Sequence, residues 1–515
     1  MPTASDSAWW RSAAVYQVYP RSFADSDADG VGDLQGVRDR LDHLTWLGVD
    51  AVWLSPFYRS PMADFGYDVA DFCDVDPLFG DLTVFDGLLT DAHARGIKIV
   101  VDLVPNHTSD QHPWFQASRS SRDDPKRDWY VWHDGGGPAA PPNNWVGAFV
   151  DGGRAWTWDA TTEQWYLHQF LPQQPDLNWH NPEVAAAMHG VMRFWLDRGV
   201  DGFRIDVIHC IGRDPSYPDD IPPWSDLPHC VSNEHESTHE HLRSMRRLVD
   251  SYAGERVLIG ETALPGTARV APYYGDNDEL HLAFNFAFTY APWEADAWRR
   301  RIERVIEELD PRAAWPTWVL SNHDLKRHRT RYGGSEQRAR AAAVGLLTLR
   351  GTPFIYAGEE LGLEDAQVPL EQVVDPGGRD GCRAPLPWTT APGHGWSADA
   401  WLPLPPDAGT HSVEAERADV GSTVHLYRRL LAARRGSAAL TCGDLRLLDS
   451  PPGTLAWTRV ADDDARTVVL NMGAQSAFIE LSGLVEVSSD LRVPEGVPFR
   501  GSLPPDTALL LNPRR

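Results

Sequence analysis

The sequence predicts an α/β fold: a closed (β/α)8 barrel with an inserted subdomain after strand three and a C-terminal antiparallel β domain. Three observations predict it. Eight short β-branched runs alternate with amphipathic helical patterns, the signature of parallel strands joined by crossover helices. The interval from the third run to the fourth, residues 104 to 202, is far longer than one helix requires. After residue 435 the pattern changes to two-residue alternation broken by turns, as in an antiparallel sheet.

In chain order the strand runs are VYQVYP (15–20), AVWLSP (51–56), KIVVDLV (98–104), GFRIDV (202–207), VLIGET (257–262), HLAFNF (281–286), TWVLSNHD (317–324) and FIYAGEE (354–360). Between them lie helical patterns such as 33–48, 183–200 and 336–351, several followed by a glycine suited to a left-handed cap. Residues 106–174, rich in Trp, Gly, Pro and Asn, read as the inserted subdomain, irregular and standing over the barrel mouth. The barrel itself takes residues 1–105 and 175–437, and 438–515 form a β-sandwich domain with strands such as TLAWTRV and ARTVVLNM.

Composition narrows the function. With 73 Asp and Glu against 47 Lys and Arg the formal charge is −26, which argues against nucleic acid, a partner that needs a cationic footprint. Five cysteines at 73, 210, 230, 382 and 442 are odd in number and without short paired spacing, as expected of reduced thiols. No secretion signal opens the chain and no apolar run reaches about 18 residues, so a cytoplasmic protein with no membrane span is expected. The 22 Trp suit either sugar stacking or simply a large core.

Reactive groups of such a barrel sit at the carboxyl ends of its strands, where the loops converge. There the third run offers Asp102, Asn106 and His107, the fourth Arg204 and Asp206, the fifth Glu261, and the seventh His323 and Asp324. One buried carboxylate would be an ordinary structural group; four strands ending this way point to a site. Arg204 and Asp206 are two apart on one strand and so share a face; the guanidinium is expected to lower the Asp206 pKa and keep it anionic. Glu261 follows only apolar residues, so a raised pKa and a proton-donating role are expected. A carboxylate nucleophile and a carboxylic acid are what glycoside hydrolysis requires.

DLVPNHTSD (102–110), GFRIDVIH (202–209), GET (260–262) and SNHD (321–324) resemble the four ordered signature regions of glycoside hydrolase family 13, the α-amylase family, and QPDLNW (174–179) resembles its fifth, in the form found near oligo-1,6-glucosidase and α-glucosidase. YQVYPRSF, GYDVADF and RDGCRAPLPW extend the resemblance over roughly residues 8 to 435. It implies a TIM barrel and a retaining mechanism with carboxyl groups about 5 to 5.5 Å apart. It further implies Asp206 as nucleophile, Glu261 as general acid/base and Asp324 as the carboxylate that grips the sugar, with Tyr67, His107, Arg204 and His323 lining the same glucose subsite. Asp64 with an arginine of RDGCRAP, Arg383 in preference to Arg379, would close the far end of the pocket, as in relatives that remove terminal glucose. Where endo-acting relatives carry Lys, three residues past the nucleophile, this chain has His209; Val207 beside the nucleophile matches relatives that accept α-1,6 linkages. The expectation is an α-glucosidase acting on small oligosaccharides, with no organic cofactor, as a monomer or small homo-oligomer. A glucosyl transferase or isomerase such as trehalose synthase, using the same groups, is the alternative, and a non-enzymatic escort module a more remote one.

DSDADGVGD (25–33) places carboxylates at the first, third, fifth and ninth positions of an EF-hand-like loop but Gly36 at the twelfth. The oligo-1,6-glucosidase branch carries a similar loop, which implies a structural Ca2+, with Mg2+ as second choice, held by Asp25, Asp27, Asp29, the Val31 carbonyl and Asp33. His235, Glu236 and His239 have the HExxH spacing of zinc peptidases, and a solvated helix start is the expected explanation.

Overall fold

In a computed structural model, which describes residues 8–149, 153–220, 233–396 and 400–513, eight parallel strands form one sheet. They are β1 (Val15–Val18), β2 (Ala51–Leu54), β3 (Lys98–Leu103), β4 (Gly202–Ile205), β5 (Val257–Gly260), β6 (Leu282–Ala283), β7 (Thr317–Val319) and β8 (Thr352–Tyr356). The order β6-β5-β4-β3-β2-β1-β8-β7 runs in chain sequence around a cylinder. At the β6/β7 seam the Thr317 hydroxyl donates to the Ala283 carbonyl at 2.7 Å.

Period-two alternation sorts the strand residues into two shells. Tyr16, Val52, Val101, Phe203 and Leu258 join the core between strands and helices. Val15, Ala51, Trp53, Val100, Val257 and Ile259 form a separate apolar cluster inside the barrel. One or two inward positions further along, the same strands carry Gln17, Asp102, Arg204, Asp206 and Glu261, all buried. The barrel is therefore plugged with hydrocarbon at its base and lined with polar groups at its carboxyl end.

The outer helices largely follow the sequence. Pro182–Arg198 is capped by the Asn181 side chain and ends at Gly199 with φ 106°. The expected 33–48 helix is instead two, Leu34–Asp39 and Leu41–Leu47, parted at Arg40, whose ψ of 4° interrupts the helix. After β2 an unanticipated antiparallel pair, Tyr58–Arg59 with Asp71–Val75, supports the loop bearing Asp64 and Tyr67.

The insertion after β3 is more ordered than its Gly and Pro content suggests. It holds the helix Pro113–Ser120 and a three-stranded antiparallel sheet in which Gln164–Leu167 lies between Trp132–His133 and Trp156–Asp159. Its tryptophans build a core: Trp145, Trp156 and Trp165 pack with Val131, Ala155 and Leu167.

At the C-terminus, Asp444–Leu448, Thr454–Ala461, Asp464–Asn471, Thr507–Asn512 and Leu484–Ser488 form a five-stranded antiparallel sheet. The expected sandwich is lopsided. A two-stranded ribbon, Ala477–Phe478 with Ser502–Leu503, is the only other sheet of this region among the described residues. Leu509 and Leu511 belong to the cluster on the ribbon's side, while Ala508 and Leu510 face the main core. Two buried arginines fasten this unit to the barrel through carbonyl oxygens: Arg434, in the last barrel helix, donates to Gly351 at 2.7 Å and to Leu440 at 2.9 Å, and Arg459 donates to Thr348 at 2.8 Å. Burial lowers the Arg434 pKa to about 10. Among the described residues no helix is long and apolar enough to cross a membrane. Cys73, Cys210, Cys382 and Cys442 are free, and Cys230 lies outside the described residues.

Candidate active site

Strand register brings the polar row together. Arg204 stands opposite Asp102 on β3 and Ile259 on β5, so its guanidinium, 1% exposed, lies at the centre of the barrel mouth. Nη1 donates to Asp102 at 2.7 Å and to Asp206 at 2.9 Å, and Nη2 donates to Glu261. The Trp53 indole N–H donates to the other Asp102 oxygen at 3.1 Å, and the Arg204 guanidinium stands 4.9 Å from the Trp53 ring. One cation thus serves three carboxylates.

The surroundings of two of these carboxyls differ from those read along the chain. Glu261 has a basic neighbour after all, supplied across strands rather than along the chain. Arg204 lowers the Asp206 pKa as expected but is outweighed: burial raises that carboxyl well above the ordinary range, and the Glu261 and Asp102 charges add to the rise. Asp102 is raised to about 6 by burial, against the pull of Arg204. Burial would weaken the Arg204 proton, but Asp102 and Glu261 hold it more tightly than usual.

The chain leaves β4 through Val207 at φ 34° and ψ 43°, a left-handed conformation uncommon for a β-branched residue and strained where it occurs. That turn ends the strand directly after Asp206, and the Val207 N–H donates to Glu261 at 3.3 Å.

Opposite lies Asp324, past the end of β7. One of its oxygens accepts from Arg379 at 2.9 Å and from Arg383 at 3.1 Å, and the other is 3.3 Å from His323 Nε2. Burial lowers the His323 pKa to about 3, so the ring is neutral. Burial alone would raise Asp324, yet it stays below the usual carboxylate range; with the imidazole neutral, the two guanidiniums carry the effect.

The arginine on Asp64 is Arg379, not the expected Arg383. Arg379 Nη2 is 2.6 Å from Asp64 Oδ1, and Arg383 contacts Asp324 and Asp375 instead. Both arginines are held by Asp375, a buried residue that sequence reasoning missed. It pairs with Arg379 at 2.6 Å and Arg383 at 3.2 Å; the first lines the cavity, while the second is tied to the His323 carbonyl at 2.8 Å.

Asp64, Tyr67, His107, Asp206, Val207, Glu261, Asp324 and Arg379 all line one cavity of about 680 Å3. Arg204, His323 and Arg383 do not line it; at 1% exposure or less they form the layer behind. Gln174, also missed, donates to Asp64 at 3.0 Å and lies 3.1 Å from His107 Nε2. The remaining wall is aromatic and apolar: Phe149, Phe170, Leu264, Phe286 and Tyr290, with His209 beside them. Among the described residues no tryptophan lines it; the tryptophans serve mainly as core. Arg213 anchors the insertion's root, donating at 2.7 Å to Asn106 and to Asp176 and at 3.0 Å to the Leu177 carbonyl. Arg213, Gln174 and most of the aromatic wall lie away from the strand ends, where sequence reasoning concentrated; Phe286, which closes the sixth run, is the exception.

In the acidic loop, oxygens of Asp25, Asp27 and Asp29 lie within 4.8 Å of one another. Burial raises the Asp29 pKa, and the Asp27 and Asp25 charges add to the rise, so the loop concentrates hard oxygen donors that a divalent cation fits. Asp33 is engaged elsewhere: its oxygens accept from Ser26 and from the Gly36 N–H at the start of Leu34–Asp39. The HExxH spacing dissolves. His235 precedes the helix Ser237–Asp250, and His239 Nδ1 sits 2.7 Å from Glu279.

The model of the α-amylase catalytic domain matches residues 17–443. A protein described as a probable α-glucosidase of Rhizobium meliloti is 40% identical over 92% of this chain and 91% of its own length. The oligo-1,6-glucosidase of Parageobacillus thermoglucosidasius is 36% identical over 92% of each. Among solved structures, an α-glucosyl transfer enzyme superposes with a TM-score of 0.90 at 38% identity, over 98% of this chain and 100% of that one.

Proposed function

The chain belongs to the α-amylase family of glycoside hydrolases, in its α-glucosidase and oligo-1,6-glucosidase branch, and on that premise we propose that it is a retaining, exo-acting α-glucosidase that removes terminal glucose from short oligosaccharides of the maltose and isomaltose type. The observation that carries the exo reading is Arg379, which spans from Asp64 to Asp324 through contacts of 2.6 and 2.9 Å. These ion pairs fill the end of the cavity, so a glucose seated there presents its non-reducing side to charge and only its anomeric side to the remaining space.

In this reading Asp206 attacks the anomeric carbon while Glu261 gives its proton to the departing oxygen, leaving a glucosyl ester on Asp206. Glu261 then takes a proton from water, whose oxygen displaces Asp206 and restores the original configuration. Asp324 and Arg379 bind sugar hydroxyls, and Tyr67 offers a ring and a neutral phenol whose pKa burial raises. Val207 beside the nucleophile supports acceptance of α-1,6 linkages. A cavity of about 680 Å3 is larger than one glucose fills, so transfer to a sugar hydroxyl, as by a glucosyl transferase or an isomerase such as trehalose synthase, is the second reading.

The test is a panel of maltose, isomaltose, sucrose, trehalose and starch, with Asp206→Ala as blank. Turnover of maltose or isomaltose far exceeding that of starch is expected, and comparable rates on starch would overturn the exo reading. Concentrated maltose separates the two readings: glucose as the sole product favours hydrolysis, and trehalose or longer sugars favour transfer.

The acidic loop is proposed to hold Ca2+, or Mg2+ in its place, through Asp25, Asp27, Asp29 and the Val31 carbonyl, with Asp33 bracing the loop. The ion's contribution is to neutralise converging carboxylates, since no residue of the loop lines the catalytic cavity. Removing it with a chelator is expected to lower the melting temperature by a few degrees while leaving turnover at low temperature unchanged. Lost turnover at an unchanged melting temperature would refute this.

A further inference from the structure

His323 is the hinge between the two halves of the site. Its ring is fully buried, with Tyr67 stacked on it at 5.4 Å and Tyr19 at 5.8 Å. Its Nε2 lies 2.5 Å from the Tyr67 hydroxyl and 3.3 Å from Asp324 Oδ2. A neutral imidazole has one N–H and one lone pair. A lone pair at Nε2 would face the anionic Asp324, and the Tyr67 hydroxyl can give its proton to Asp102 Oδ2 at 3.3 Å and accept from the ring, so Nε2 carries the proton. Nδ1 must then accept, and the group facing it is the Gln17 amide, 2.7 Å away and also 3.2 Å from the Ser55 hydroxyl. Gln17 lies on β1, is 1% exposed, and does not line the cavity.

We infer that Gln17 is a positioning residue: by donating its amide N–H to Nδ1 it fixes His323 in the Nε2–H tautomer, which presents the one ring N–H to the Tyr67 hydroxyl and to Asp324 beside the sugar site. A metal-ligating histidine is oriented in the same way by the partner of its second nitrogen, where loss of the partner costs about 10- to 100-fold. The inference rests on the sugar-binding role proposed for Asp324, although the tautomer itself is a property of the resting protein.

Gln17→Leu removes the donor at every pH, and kcat/KM on maltose is expected to fall about 10- to 100-fold with a flat profile relative to the parent. Gln17→Glu behaves differently. The introduced carboxyl and His323 can together supply both hydrogen bonds only while the two share one extra proton, on the imidazole or on the carboxyl. Activity of this variant therefore approaches the parent's at low pH and falls as pH rises through the pair's apparent pKa. The other charged and titratable groups around the ring are Tyr19, Tyr67, Asp324, Arg204, Arg379 and Arg383, and both variants leave them in place.

The direct measurement is ring 15N NMR of histidine-labelled parent enzyme without sugar, with the His323 signals assigned by their loss in His323→Gln. A protonated Nε2 and an unprotonated Nδ1 are expected. The reverse assignment overturns the inference even if no Gln17 variant folds, as does a Gln17→Glu profile parallel to that of Gln17→Leu. Failure of the glucosidase reading would appear instead as activity surviving in Asp206→Ala, with the tautomer unaffected.

Discussion

Asp206→Ala is expected to lower turnover of every α-glucoside by about 10^4-fold or more, the scale on which a nucleophile's loss is felt, while leaving the fold in place. The fold survives because Arg204 keeps its contact with Asp102 at 2.7 Å and its pairing with Glu261, so no buried cation is abandoned. Burial and the neighbouring carboxylates raise the pKa of Asp206 against the pull of Arg204. Attack requires Asp206 as the carboxylate, the form that the Arg204 guanidinium at 2.9 Å favours. The alanine variant removes the attacking atom and leaves a space the size of a carboxylate. Azide or formate should enter it and restore part of the turnover on an activated α-glucosyl donor, giving a product of β configuration. Thermal melting separates this from unfolding. Retention of more than about one per cent of parental turnover, or an azide product of α configuration, would remove Asp206 from the nucleophile's role.

What the sequence made legible were features with short periods. Alternation along β3, β4 and β5 places Asp102, Arg204 and Glu261 inward and beyond the apolar plug, and two-residue spacing is visible in a linear string. What it hid were relations between elements. Glu261 has no basic neighbour in sequence, yet the parallel register sets Arg204 against β5, so local surroundings missed the cation on Glu261, and they misjudged the direction of the Asp206 shift. Arg379 and Arg383 occupy one short segment and are equivalent by composition; both pair with the buried Asp375, but Arg383 is also held by the His323 carbonyl at 2.8 Å, and Arg379 is the one that reaches Asp64. The pair formed by Tyr58–Arg59 and Asp71–Val75 is too short to declare itself by alternation, though it carries the loop of Asp64 and Tyr67. His235 and His239 had a suggestive spacing that failed because the helix begins only at Ser237.

Glu261→Gln is expected to divide substrates by leaving group. The amide keeps the shape of the side chain and can still accept from Arg204 and from the Val207 N–H, which reaches the parent carboxylate at 3.3 Å, so geometry is preserved and the transferable proton is lost. A sugar leaving group departs as a poorly stabilised alkoxide unless protonated, and general acid assistance of this kind contributes about 10^2- to 10^4-fold. kcat/KM on maltose or isomaltose should fall by that factor. An aryl glucoside with an electron-withdrawing ring leaves as a stable phenolate, so its kcat/KM, which reports only steps up to departure of the phenol, should fall by less than about tenfold. The second step still needs a base to take a proton from water, and Glu261 supplies that as well. The variant should therefore release one equivalent of phenol per active site in a burst and then stall as the glucosyl ester on Asp206, which mass spectrometry of the trapped protein would detect as one added hexose. Because the substitution leaves Asp206 unaltered, this ester separates an acid/base role for Glu261 from a merely structural one: a structural loss would slow maltose and the aryl glucoside equally and leave no sugar on the protein.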